Sequence, residues 1–486
     1  MAIPIIVLAL FLLIPLFMGF YASKKAVATT EDYYVQSRSM GTIAVFFTVA
    51  ATWWSAVAFL GTGGQIFSNG IGWWVVAPQN LLFGLMYYIM GRKVWHLGKH
   101  FHYITPGDIF ADYYECRTMR LVMTIVLTIF TVPYLQTQLM GAGYIIETMT
   151  NGLIPFWLSC LLFYGVIIVY VWVGGIRAVA LTDIFYGILI FGGLILGGFW
   201  IASHFGGVAN VTATLAQTNP ELLTVPGPNG YFSYSKTSSM LFVMAFGGLL
   251  TLPMWLRMYS VKSESTFRYS ISFMGIIALG YLGTMLAALC GVIDQPNFAE
   301  PDNIFPYMLT HYTPILVASL VLAAAAAAAM STANSQVHAI STIVSLDIYK
   351  EYIKKDATQQ RIINVGRIVL ILFSGFAYIL ALNSANLLLN LGLLAMGGTL
   401  QLLPGLLGIL YWRRATAKGV IAGIVAGCIT LALVVFVPVL NQTLVSVLHE
   451  GIWGLLVNAV VFIIVSLCTA PPSEETRTRF TNCLQL

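Results

Sequence analysis

Apolar stretches of about 20 residues or more recur along this chain from one end to the other. That is the length an α-helix needs to cross a bilayer core of about 30 Å. Charge agrees with the pattern: only 8% of the 486 residues are charged and 59% are hydrophobic. Soluble domains carry about 25% charged residues, so this chain cannot build a water-facing surface over most of its length. The longest polar gaps lie at 203–236 and 294–307, and the tail after Ala470 is short. The sequence therefore reads as one polytopic all-α membrane domain over 1–486, with no room for a second, soluble one.

Thirteen apolar segments are expected, at 3–22, 42–67, 72–97, 119–148, 153–173, 180–203, 237–256, 267–292, 308–345, 363–382, 386–412, 417–438 and 449–469. Lys24 and Lys25 follow the first segment and no charge precedes it. A signal peptide has the reverse order, so a retained first helix with its N-terminus outside is expected. With that orientation, all of the 23 lysines and arginines except Lys236 fall in cytoplasmic loops or the cytoplasmic tail, Arg257 among them. The opposite orientation would violate the positive-inside rule at every loop. No basic residue is expected at the membrane midplane. Glu147 and Asp183 are the acids nearest to helix interiors, where a charge is costly and marks a candidate site; an interfacial position for either is the plainer alternative.

Two segments carry chemistry. In the first, Ala51-Thr52-Trp53-Trp54-Ser55 and then Gly61-Thr62-Gly63-Gly64 interrupt an apolar span. Such a span can unwind, freeing carbonyls for an ion and N–H groups for a solute, or the glycines can serve helix packing alone. In the second, seven alanines at 323–329 lead into Met330-Ser331-Thr332-Ala333-Asn334-Ser335. Ala328, Ser331, Thr332 and Ser335 share one helical face, which offers a carbonyl and three hydroxyls. Sodium is a hard cation that takes oxygen ligands, as calcium and magnesium do. An Ala/Ser packing seam is the alternative. The six cysteines show neither metal-ligand nor redox spacing and read as small core residues.

Six motifs then bear a resemblance: Asp32-Tyr33-Tyr34 through Arg38-Ser39-Met40-Gly41; Thr105-Pro106-Gly107-Asp108; Gly174-Gly175-Ile176-Arg177-Ala178-Val179 with Thr182-Asp183; Ala329-Met330-Ser331-Thr332; Asp347-Ile348-Tyr349; and Tyr411-Trp412-Arg413-Arg414 with Lys418-Gly419. In this order they resemble the sodium:solute symporter family, whose pantothenate-like and monocarboxylate-like branches look most similar. The resemblance implies a LeuT-type fold of two inverted five-helix repeats, about 42–203 and 237–412, with one extra helix before them (1–41) and two after (417–469). It implies a main sodium site formed by the carbonyls of Ala51, Trp54 and Ala328 and the hydroxyls of Ser331 and Thr332. Some members bind a second sodium, for which Asp183, Asn334 and Ser335 stand in the matching positions here, Asn334 replacing a serine. Solute contacts are expected from Thr52, Ser55, Phe59, Gln79, Gln138, Phe246 and Gln401, each of which also suits a plain packing role.

The function implied is sodium-driven import of a small organic solute, carboxylate-bearing in the most similar branches, across a cell membrane by alternating access. An amino acid or a sugar is the alternative cargo. The expected partners are sodium, the solute and the lipid bilayer; nothing points to nucleic acid, and no feature sets an oligomeric state. A membrane-embedded enzyme would need an intramembrane metal or nucleophile constellation, and none is visible. A transporter-like sensor would need a signalling partner, because the chain ends soon after its last apolar segment.

Overall fold

The structure, a computed structural model, describes residues 2–27, 29–383 and 388–485. The expected start of one segment at 386 lies outside the described residues. Among those described, nine helices are long and apolar enough to cross a membrane, and eleven spans result if each of two bent pairs counts as one. In chain order, with the run α4 over 71–101 added to those eleven, the elements are α1 Ala2–Ser23; α2 Thr42–Trp53 bent against α3 Val57–Asn69; α4; α5 Thr118–Met149; α6 Phe156–His204; α7 Tyr234–Gly247 bent against α8 Leu252–Ser260; α9 Ser270–Asp294; α10 Ile315–Ile353; α11 Gln359–Leu382; α12 Asn390–Tyr411; α13 Ala417–Phe436; and α14 Glu450–Cys468. A short amphipathic helix, α15 Glu474–Gln485, closes the chain.

The run α4 is made of 3-10, α and π pieces and so is not one of the nine. The 49-residue α6 carries two of the expected segments, divided at Gly175 with φ 54° and ψ −147°. That left-handed conformation favours glycine, and a Cβ there would also stand 2.8 Å from the Tyr33 carbonyl oxygen. The kink joins the two segments without a loop.

Helix α6 packs against α1, α2, α9 and α10. Small residues allow this. A Cβ on Gly198 of α6 would lie 2.0 Å from the carbonyl oxygen of Gly283 on α9, so the two backbones touch. All seven alanines at 323–329 of α10 are buried. In lipid, helix association rests on such close packing and on interhelical hydrogen bonds rather than on the hydrophobic effect.

The basic loops meet at one end of the bundle. There Arg177 grips Asp32 with two donors, Nε at 2.9 Å from Oδ2 and Nη2 on Oδ1. Burial would raise the Asp32 carboxyl, but the bonds from Arg177, the Val27 amide and Ser37 outweigh it and hold it below the usual carboxylate range. Arg120 bridges Asp108 and Asp347, and Thr105 also donates to Asp347 at 2.8 Å. Helix α15 docks on the same end: Phe480 stacks on Phe101 and meets Tyr113 edge-on, while Ser473 and Thr476 bond to Glu115.

Candidate functional site

The bend between α2 and α3 is 57°. At its centre Trp54 has φ −75° and ψ 75°, outside the helical region, so the amides and carbonyls on either side lose their helical partners. The structure catches several of them with side chains. Gln138 on α5 accepts from the Ala56 amide at 3.0 Å, and Ser55 Oγ accepts from the Val57 amide at 3.2 Å. On the other side of the break, Thr332 Oγ1 on α10 lies 3.0 Å from the Thr52 carbonyl and 3.0 Å from the Ala328 carbonyl of its own helix. Thr332 therefore joins the two segments that the sequence singles out. Ala51, Trp54, Ala328, Ser331 and Thr332 are all buried, and Ser331 turns its hydroxyl to Asp183 Oδ1 at 2.6 Å.

Asp183, Asn334 and Ser335 come together close by. Asp183 is fully buried. It accepts from Thr48 and Ser331, and its Oδ2 lies 3.2 Å from Arg257 Nη2. Ser335 Oγ lies 2.8 Å from the Ser331 carbonyl and 2.9 Å from Asn334 Oδ1, and the Asn334 amide donates to Tyr170 at 2.9 Å.

Arg257 corrects the expectation that it lies in a cytoplasmic loop. It lies on α8, after a second bend of 47°, and is 1% exposed. Its Nη2 reaches Thr52 Oγ1 and, at 2.6 Å, Ser335 Oγ; its Nε lies 3.2 Å from the Thr48 carbonyl and 3.1 Å from its hydroxyl. Counting positive charges in loops treats an arginine just past an apolar segment as solvated. Here Asp183 on a distant helix supplies the counter-charge that makes burial tolerable. Pro253 at the start of α8, four residues ahead of Arg257, was the available signal that a new helix begins and carries the arginine inward.

A cavity of about 30 Å³ opens beside the first break, lined by Trp53, Ser55, Val57, Thr62, Trp73, Tyr134, Met244, Tyr281, Gly392, Leu393 and Met396. It holds about one water. A wider cavity of about 620 Å³ shares Leu393 with it and is lined further out by Tyr231, Lys236, His449 and Glu450. Of the expected solute contacts, Ser55 lines the small cavity. Thr52 and Gln138 flank the break through Arg257 and the Ala56 amide. Phe59 is buried edge-on to Phe305. Gln79 is buried with neither amide atom bonded to protein, next to Asn80, which accepts from Trp53 Nε1 at 2.6 Å.

Two expected contacts are elsewhere. Phe246 stacks on Phe242, which lines a separate apolar groove with Leu403, Trp412 and Phe462. Gln401 donates to the Gly397 and Gly451 carbonyls, and Asn458 donates to both its carbonyl and its side chain; it ties α12 to α14. Tyr134, Tyr281, Trp73, Met244 and Met396 line the cavity and were not anticipated, since an aromatic or methionine in an apolar span carries no sign of which way it faces.

Comparison with known proteins supports the same class. The model of the sodium:solute symporter family matches residues 33–427. The chain belongs to that family. It is 28% identical over 460 residues to the sodium/pantothenate symporter of Escherichia coli (strain K12), covering 91% of this chain and 94% of that protein. It is 25% identical to the high-affinity proline transporter PutP of Bacillus subtilis (strain 168), covering 96% and 98%. Among solved structures, it resembles a Na+-coupled sialic acid symporter in a substrate-bound, outward-open state, with a TM-score of 0.81 at 20% identity, covering 97% of this chain and 99% of that one. A nucleobase-cation-symport-1 family transporter in a closed conformation follows at a TM-score of 0.59 and 13% identity, covering 93% and 98%. The fold is thus that of the LeuT-type transporters, and the protein is a multi-pass sodium-coupled solute symporter of the cell membrane, not an enzyme.

Proposed function

We propose that this chain imports a small carboxylate-bearing solute with sodium, by alternating access between two inverted repeats at about 42–203 and 237–412. One observation carries the sodium part. Thr332 on α10 reaches across to the carbonyl edge of the broken first helix pair at Thr52, so that a hydroxyl and freed carbonyls converge where Ala51, Trp54, Ala328, Ser331 and Thr332 would hold a hard cation. Sodium in that position ties α2 to α10 and stabilises the arrangement in which the solute cavity beside Ser55 is formed.

The carboxylate follows from chemistry shared by the named relatives: pantothenate and proline both carry one. The helix break supplies what such a group needs, the start of a half-helix near Ala56, where the helix dipole favours a negative charge. The wide cavity on the Lys236 side is the entry route, and the 30 Å³ space is a solute site drawn closed. The test is a thermal-shift screen of small carboxylates, amino acids and sugars with and without sodium, followed by uptake into vesicles. A carboxylate that stabilises the protein only with sodium, and accumulates only down a sodium gradient, is the expected result. Stabilisation by a sugar alone would replace the cargo, and binding without uptake would favour a solute sensor.

A further inference from the structure

We propose that the Arg257 guanidinium is the resident cation of the second oxygen-rich pocket, so that the chain binds one sodium ion and not two. This rests on the reading of the main sodium site above.

The argument begins with the pocket. Asp183, Thr48, Thr52, Ser335 and the Thr48 carbonyl bring oxygen atoms from α2, α6 and α10 to one buried point. A carboxylate surrounded by hydroxyls and a carbonyl is a cation site by its chemistry. Arg257 fills it with its own charge. Nη2 bonds Ser335 and Thr52 and pairs with Asp183, Nε takes both oxygens of Thr48, and Nη1 turns back to the Pro253 carbonyl at 3.2 Å. Every guanidinium nitrogen thus has an oxygen partner.

The charge count closes too. Arg257 and Asp183 form one ion pair, both essentially unexposed, and no other ion pair involves either among the described residues. A sodium added at Asp183 would set two cations on one carboxylate in a low-dielectric interior, where like charges repel strongly. It would also have to take lone pairs already committed to Arg257, Thr48 and Ser331. The tethered cation arrives on α8, the second half of the other bent pair, so it moves with the helix break and does not exchange with solution.

The experiment counts radiolabelled sodium bound to the full chain in lipid nanodiscs, with no solute present. The expected result is one ion per wild-type chain, with non-cooperative binding that weakens at least tenfold in Thr332→Ala. Arg257→Lys keeps the count at one, because a cation is retained. Arg257→Ser vacates the pocket and raises the count to two, and the added ion is lost again in Arg257→Ser/Asp183→Asn. Two ions in the wild type overturn the inference and leave the main site standing. A count of one in a folded Arg257→Ser overturns it as well. No bound sodium in the wild type overturns the symport reading itself. If Arg257→Ser does not fold, Arg257→Gln, which removes the charge and keeps a hydrogen-bonding side chain, takes its place with the same two outcomes.

Discussion

The molecule breaks two helices and uses the breaks differently. Between α2 and α3 the backbone is left open, and side chains from other helices come to it: Gln138 to the Ala56 amide and Thr332 to the Thr52 carbonyl. Between α7 and α8 the break is closed mostly by its own segment, with Thr399 on α12 donating to the Gly247 carbonyl at 2.8 Å. The Leu250 amide bonds the Phe246 and Gly247 carbonyls, Thr251 Oγ1 bonds the Gly248 carbonyl, and Trp255 Nε1 bonds the Leu250 carbonyl. The first break offers main-chain atoms for ligands to use. The second has most of its own tied back locally and instead swings a side chain, Arg257, into the centre. A bent membrane helix is therefore not in itself a binding site; what matters is whether its freed backbone groups are satisfied locally or by neighbours.

The largest test of this contrast strikes what the second break delivers. Asp183→Leu strands the Arg257 charge and should cost about 3–5 kcal/mol, while Asp183→Leu/Arg257→Met should recover most of it. Thermal unfolding in detergent would measure both, and additive losses would show that the two residues are not coupled. At the first break, Gln138→Leu leaves the Ala56 amide without its partner and should cost about 1–3 kcal/mol. The same melt would read it, against Thr251→Val, which removes only a local bond and should cost less.

Ion binding separates the two breaks more finely. Thr332→Ala should raise the sodium concentration for half-maximal binding about tenfold, or about 1.4 kcal/mol, whereas Thr251→Val should leave it unchanged. Sodium-dependent tryptophan fluorescence would follow it, since Trp53 and Trp54 flank the site. An equal shift in both variants would erase the distinction.

The smallest effect belongs to neither break. Bonds from Ser473 and Thr476 hold the Glu115 carboxyl below its ordinary value. Its pKa is lower with α15 docked, so its contribution to docking is present above the undocked value and is lost as pH falls through the lowered one. Hydrogen exchange in α15 should rise with acidification in that range and become flat with pH in Glu115→Gln, with sodium binding near neutral pH untouched.

Much of this was legible in the sequence because lipid enforces it. Segment length and apolarity announced the helices, and Ser55 with the glycines at 61, 63 and 64 announced the first break, since such residues are tolerated in lipid only where a neighbour satisfies the backbone. The Ser331 and Thr332 face pointed to α10 for the same reason. The second break was hidden inside the expected segment 237–256, where Gly247, Gly248 and Pro253 were its only marks. Arg257 was misassigned because its partner Asp183 lies on a different helix, and no spacing within one helix reveals a pair made across the bundle. Gln401 misled in the opposite sense: a buried amide in an apolar span binds equally well to another helix, here through Asn458, as to a solute. The motifs that carried the family resemblance meet largely at the basic end, as Asp32 with Arg177 and Asp108 with Asp347 through Arg120, so they reported on the fold more than on the cargo.

The buried Arg257–Asp183 pair also sets an accounting of work. Its net charge is zero, so the membrane potential does nothing to it as the protein changes conformation. With one sodium as the only moving charge, a neutral or zwitterionic solute draws on both a tenfold sodium gradient and a 100 mV potential. Together these provide about 3.7 kcal/mol, an accumulation on the order of 500-fold. A monoanion cancels the sodium charge, the voltage drops out, and the ceiling falls to about tenfold. The same carrier would then be a scavenger of dilute zwitterions and only a modest concentrator of anions, a choice made by the solute's charge and not by its fit.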